Sequence, residues 1–109
     1  MRQFAAMPDA NSKASTAYSP SNQVDNRVLA TNIAEPFTVP AGAHFLRLRA
    51  TNPFWLNDRN NAAIPAADLT DGTGSVYVQY EHLMAIAPGC TAVSVISATT
   101  NAVSAEWWA

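Results

Sequence analysis

The chain reads as an all-β protein: a two-sheet β-sandwich, with the jelly roll as its candidate topology, preceded by an extended N-terminal arm. Three observations lead there. From about residue 24 onward, eight short apolar runs are separated by turn residues every ~8–12 positions, the spacing of sandwiches and barrels. The clearest runs alternate with a period of two, and no amphipathic segment of helical length competes with them. Residues 1–23 show neither property.

The arm, residues 1–23, is polar, proline-flanked and aperiodic. Its stretch from Pro8 through Lys13 to Gln23 offers too little apolar surface to offset the entropy of ordering it. It orders only against its own domain or against a neighbour. Phe4, Met7 and Tyr18 are scattered anchors rather than a core face, which favours the neighbour.

The sandwich is assigned to residues 24–109. Its first run, Val28–Ala34, sets Leu29, Thr31 and Ile33 on one face. Phe37-Thr38-Val39 follows and ends in Pro40-Ala41-Gly42, a turn in which proline arrives with φ already fixed. His44–Thr51 alternates cleanly, with Leu46, Leu48 and Ala50 on one side and Phe45, Arg47 and Arg49 on the other. After Asn52-Pro53, the run Phe54–Asn57 opposes Phe54 and Leu56 to Trp55 and Asn57.

Residues 58–75 form the one long irregular stretch. A helical turn is expected around Pro65–Leu69, since proline suits a first helical position. Four runs close the chain: Val76–Tyr80, Leu83–Ala87, Thr91–Ala98 and Ala102–Trp108. Pro88-Gly89 fits the centre of a type II turn. In the last run Val103, Ala105 and Trp107 belong to the core side. Ser104, Glu106 and Trp108 belong to the outside, which makes Trp108 an exposed aromatic and a candidate anchor.

Composition narrows the function classes. A length of 109 residues suits one domain. Apolar residues make up 49% and charged residues only 13%, well under the usual quarter, so much of the surface must be Ala, Ser, Thr and Asn. So neutral a surface suits cover by another protein. The net charge is −2 and no basic stretch occurs, so no nucleic-acid partner is expected. No apolar run approaches the ~18–20 residues of a membrane helix, so no membrane is expected either. Met1–Pro8 carries one charge and no following apolar stretch, so no secretory signal is expected. Cys90 is the only cysteine, which excludes an intramolecular disulfide and a multi-thiolate zinc site and fits synthesis in a reducing cytosol.

No reaction can be read from the residues. Cys90 reads as a small packing residue at a strand end. His44 and His82 read as polar surface or interface groups, with His82 a pH-sensitive element only if it faces Glu81 or another carboxylate. Gly72-Thr73-Gly74-Ser75 lacks the lysine and spacing of a phosphate loop, and Asp68 and Asp71 read as capping residues rather than calcium ligands. No catalytic residue, metal or cofactor is therefore expected. Phe45, Arg47 and Arg49 on one strand face have interface composition, with a solvated sheet face as the plainer reading. Trp55, Tyr77 and Trp108 form a second group, suited to a protein interface or to stacking against sugar rings.

One resemblance bears on role. Phe37-Thr38-Val39-Pro40-Ala41-Gly42-Ala43 and its alternating strand, the stretch Ile64–Ser75, and the closing Trp107-Trp108-Ala109 resemble small β-sandwich virion proteins of tailed bacteriophages. The likeness covers roughly residues 33–109 and lies in turn and loop text. It implies a non-catalytic decoration or cement protein, made in the host bacterial cytoplasm and carried on the capsid exterior. It also implies a homo-oligomer, with a trimer favoured, that binds the major capsid protein or other virion proteins. A tail, collar or fibre-associated component is the alternative within that class, and a carbohydrate-binding β-sandwich module the alternative outside it.

Overall fold

In a computed structural model, residues 1–4 and 20–109 are described in full, and two short strands between them are described by their backbone alone. Those two are β1 (Ala6–Pro8) and β2 (Ala14–Tyr18), paired antiparallel. Eight further strands follow: β3 (Gln23–Leu29), β4 (Glu35–Thr38), β5 (Phe45–Ala50), β6 (Phe54–Asn57), β7 (Val76–Val78), β8 (Glu81–Ala85), β9 (Ala92–Ile96) and β10 (Asn101–Trp108).

These eight form two four-stranded antiparallel sheets, ordered β3-β10-β5-β8 and β4-β9-β6-β7. The pairing has a simple logic. β3 pairs with β10, β4 with β9, β5 with β8 and β6 with β7, as if one long hairpin with its bend between β6 and β7 had been rolled up. The roll closes through β10 on β5 and β9 on β6. Except at the β6–β7 bend, each strand passes to the opposite sheet. This is the jelly roll, two interlocked Greek keys in a double sheet, and it bears out the sandwich expected from the turn spacing.

The core lies between the sheets and is filled by inward positions of both. Leu46, Leu48, Val103, Ala105 and Trp107 come from the first sheet, and Phe37, Phe54, Leu56, Val93 and Val95 from the second. Period-two alternation in β5 and β10 puts every second residue there, as the sequence requires. Trp107 fills the middle of this layer, where a large ring contributes most through area removed from water.

Turn chemistry sets the connections. Gly42 and Gly89 have φ of +82° and +83° at the third position of two turns, closed by Ala43 N–H to the Pro40 carbonyl and Cys90 N–H to the Ala87 carbonyl. Both need glycine because a Cβ is strained at that φ. Between β5 and β6, and again between β9 and β10, order comes from a buried amide. Asn101 accepts from the Thr51 hydroxyl and Asn52 N–H and donates to the Asn52 carbonyl at 2.7 Å, joining the two connections.

Three local expectations are corrected. The first run does not continue to Ala34: β3 ends at Leu29, and Asn32 takes a left-handed φ of 60° in a turn, leaving Thr31 and Ile33 exposed. The Asn32 N–H reaches the Ser97 carbonyl instead of a strand partner. No helical turn forms at Pro65–Leu69; those residues run as bends and coil, and Leu69 stays exposed with no apolar face to hold a helix down. His82 lies within β8 rather than in a connection. Strand alternation therefore turns it to the opposite face from Glu81, so the two do not form the pH-sensitive pair considered above.

Candidate functional site

Three surfaces gather the residues singled out in the sequence. The first is at the end of β10. Trp108 does point away from the core, as alternation demands, but it is fully buried, not exposed. The cover is the start of the chain. Ala109 donates to the Arg2 carbonyl at 2.8 Å and accepts from Phe4 N–H at 3.2 Å, which lays residues 2–4 beside the C-terminal strand. The Phe4 ring then stacks on Phe45 at 4.8 Å and meets the Trp108 ring edge-on at 5.3 Å. Arg47 closes the other approach, with its guanidinium 5.8 Å from the Trp108 ring centre.

Arg47 is held as well as holding. Its Nε and Nη2 donate to the two oxygens of Glu106 at 3.2 and 2.7 Å, and Glu81 lies 3.7 Å away. The register places Glu106 directly opposite Arg47 on the neighbouring strand, so the fork meets the carboxylate with little rearrangement. Phe4, Phe45, Arg47 and Trp108 thus form one cluster. Arg2 N–H to Asn22 Oδ1, an Arg2 guanidinium N–H to the Pro20 carbonyl, and the Ser21 hydroxyl to the Trp107 carbonyl fasten both described ends of the arm to the sandwich. The side chains of Met7 and Tyr18 lie outside the described residues.

The second surface is the outer face of the β3-β10-β5-β8 sheet. Val24 and Val28 from β3, Ala102 and Ser104 from β10, Arg49 from β5 and Leu83 from β8 face outward there by register. Val28 is 70% exposed, and Val24 and Leu83 are nearly half exposed. A shallow depression of about 460 Å³ crosses this face between Val28 and Arg49. Among the described residues, no segment covers the face beyond the Phe4 end.

The third surface is the outer face of the other sheet. Trp55 and Tyr77 are register partners there, with ring centres 5.0 Å apart and planes tilted by 38°. Residues 58–75 fold back over this face. Asn57 Oδ1 accepts from Arg59 and Asn60 N–H, Ala62 N–H donates to the Ser94 hydroxyl, and Ala63 N–H to the Ser75 hydroxyl. Asp71 takes both the N–H and the hydroxyl of Thr73, and the hydroxyl bond above all holds its carboxyl below the ordinary 3.8. Gly72-Thr73-Gly74-Ser75 is thus loop architecture. The fold-back leaves a cleft of about 330 Å³ between Trp55 and the loop.

The chain matches no known protein family, no curated protein and no solved structure.

The residues with reactive side chains serve packing and turns. The Cys90 thiol lies against the Ala92 and Asp58 carbonyls, and His44 is exposed at the start of β5. Among the described residues, no three of His, Cys, Asp and Glu gather as a metal set.

Sequence reading missed several participants. Glu81 and Glu106 carried a usable signal, being acidic residues on strands whose outward positions face those of an arginine strand. Val24, Val28 and Leu83 carried none, because only the sheet order brings them onto one face.

Proposed function

We propose that this chain is a bacteriophage virion structural protein that decorates the capsid exterior, bridging major capsid subunits as a trimer and catalysing nothing. The observation that carries the reading is the outer face of the β3-β10-β5-β8 sheet, where Val24, Val28 and Leu83 stand in solvent on a rigid backing beside Arg49 and the paired Arg47, Glu81 and Glu106. Small side chains around apolar contacts suit flat protein-to-protein docking better than capture of a small molecule. The jelly roll, recurrent in viral capsid domains as in lectins and cupins, supports the reading by analogy of fold alone. The bacteriophage assignment rests on the resemblance of residues 33–109.

The physical role follows from linkage. A protein that binds the assembled lattice and not its free subunits stabilises the lattice, and many weak copies add up. The test is solution mass of the purified chain together with co-sedimentation on phage capsids. A trimer that saturates capsid sites is expected, and removal of residues 1–20 is expected to weaken attachment. A strictly monomeric species that leaves capsids bare overturns the proposal. A handful of copies per particle, instead of hundreds, moves the protein to the tail or collar.

A further inference from the structure

The cleft between Trp55 and the 58–75 loop has a different chemistry from the open sheet face. We infer that it is a saccharide-binding site, sized for a single sugar ring. The inference does not depend on the virion reading.

Three features meet there. The first is an aromatic wall. Trp55 lines the cleft and is partly buried, and Tyr77 braces the indole from the neighbouring strand at 5.0 Å, so the ring is held in place before any ligand arrives. A pyranose presents C–H bonds polarised by adjacent oxygens, and these pack against the negative π face of an indole. The second is a pair of uncommitted polar groups. Of the polar side chains that line the cleft, Ser75 and Thr73 are engaged in fixing the loop, but Asn61 and Asp68 hold no hydrogen bond among the described residues. A carboxylate accepts two hydroxyl protons, and an amide accepts one and donates others, which is the set that vicinal sugar hydroxyls require. The third is a prebuilt shape. The Ala62 N–H to Ser94 bond holds the loop over the sheet, the bonds at Ala63 and Thr73 shape the loop itself, and the volume of about 330 Å³ falls at the lower end of the range for small-molecule sites.

A peptide is a poorer fit. Burying it would need backbone donors and acceptors along an open strand edge, and the lining here is side chains beneath a loop. An anion is disfavoured by Asp68, and among the described residues the cleft lining has no cationic side chain.

The experiment is titration of the full chain, labelled at indole nitrogen, with glucose, galactose, mannose and N-acetylglucosamine in the millimolar range. One sugar at least is expected to shift the Trp55 indole signal in a saturable way, while those of the buried Trp107 and Trp108 stay in place. Trp55→Ala, which deletes the indole reporter and is read instead on the backbone amide signals of the 58–75 loop, is expected to remove binding. Asp68→Asn, an exposed loop change that leaves the fold alone, is expected to weaken it by about tenfold. If Trp55→Ala does not fold, Asp68→Asn and Trp55→Phe carry the test. No saturable shift with any of the four sugars overturns the inference, as does a saturable shift of the loop's backbone amide signals that survives both changes. Neither result touches capsid binding, which is read by co-sedimentation.

Discussion

At the residue scale, a few polar side chains decide geometry that the apolar pattern leaves open. Asn101 is the clearest, a buried amide whose bonds to Thr51 and Asn52 fasten two inter-sheet connections at once. Arg47 and Glu106 make a two-pronged pair, with side chains 18% and 13% exposed, at the edge of the aromatic cluster. Asp71 acts more locally. Its carboxylate is held below the ordinary value by the Thr73 hydroxyl and N–H, so the charged form is favoured when folded. The sign follows directly: the turn's contribution is present above the unfolded-state pKa and fades as pH falls through the lower folded value. Thr73→Val removes the hydroxyl bond and is expected to move the Asp71 titration back up toward 3.8, read by carboxyl NMR from pH 2 to 6. An unchanged midpoint would mean that the N–H bond alone sets it.

At the scale of elements, the N-terminal residues behave as a short extra partner for β10. Their hold includes two backbone hydrogen bonds to Ala109, the Asn22 and Pro20 anchors, and the Phe4 ring against Phe45 and Trp108. Phe4→Ala is expected to open Trp108 to water. Tryptophan emission should shift to the red and stability should fall by about 1–2 kcal/mol, with the β-sheet far-UV signal retained. Unaltered emission would show that Phe45 and Arg47 shield Trp108 without help. This element also marks the limit of what the residues disclose. Seven of the eight strand runs were legible because hydrophobic alternation and turn residues are local signals, and Pro88-Gly89 announces its turn in two letters; β3 lies mostly ahead of the run assigned to it. The outward direction of Trp108 was legible by the same alternation. Its burial was not, because the cover comes from residues some hundred positions away, and nothing in Arg2-Gln3-Phe4 specifies a docking place. The 58–75 stretch was legible as irregular, but its fold-back depends on Ser94 and Asn57 lying beneath it, which only the sheet order supplies. The interface candidates were therefore recovered as three separate surfaces. Phe45, Arg47 and Trp108 meet Phe4, Trp55 meets Tyr77, and Arg49 stands on the open face.

At the scale of the whole molecule, the rolled-hairpin topology gives two outer faces with unlike fates. The loop between β6 and β7 comes back over one sheet and converts it into a cleft, while among the described residues nothing covers the other sheet beyond its Phe4 end. A single small domain can thus hold a docking face and a ligand cleft on opposite sides, with a packed core between them that keeps the two apart. The separation makes the faces independently testable, since changes on one should not reach the other through a close-packed interior. Val28 is the place to probe the open side, being 70% exposed and clear of the Arg47 pair. Val28→Glu puts a carboxylate within the proposed contact, on its edge strand β3. Because the side chain is in solvent, folding stability should change by no more than about 0.5 kcal/mol. Burying the new charge against a partner should instead weaken association by tenfold or more, through a desolvation cost that Arg49 across the depression offsets only in part. Thermal unfolding and capsid co-sedimentation measured on the same preparation separate the two effects. Full capsid occupancy by a well-folded Val28→Glu chain would remove this face from the interface and leave the proposed attachment without its surface.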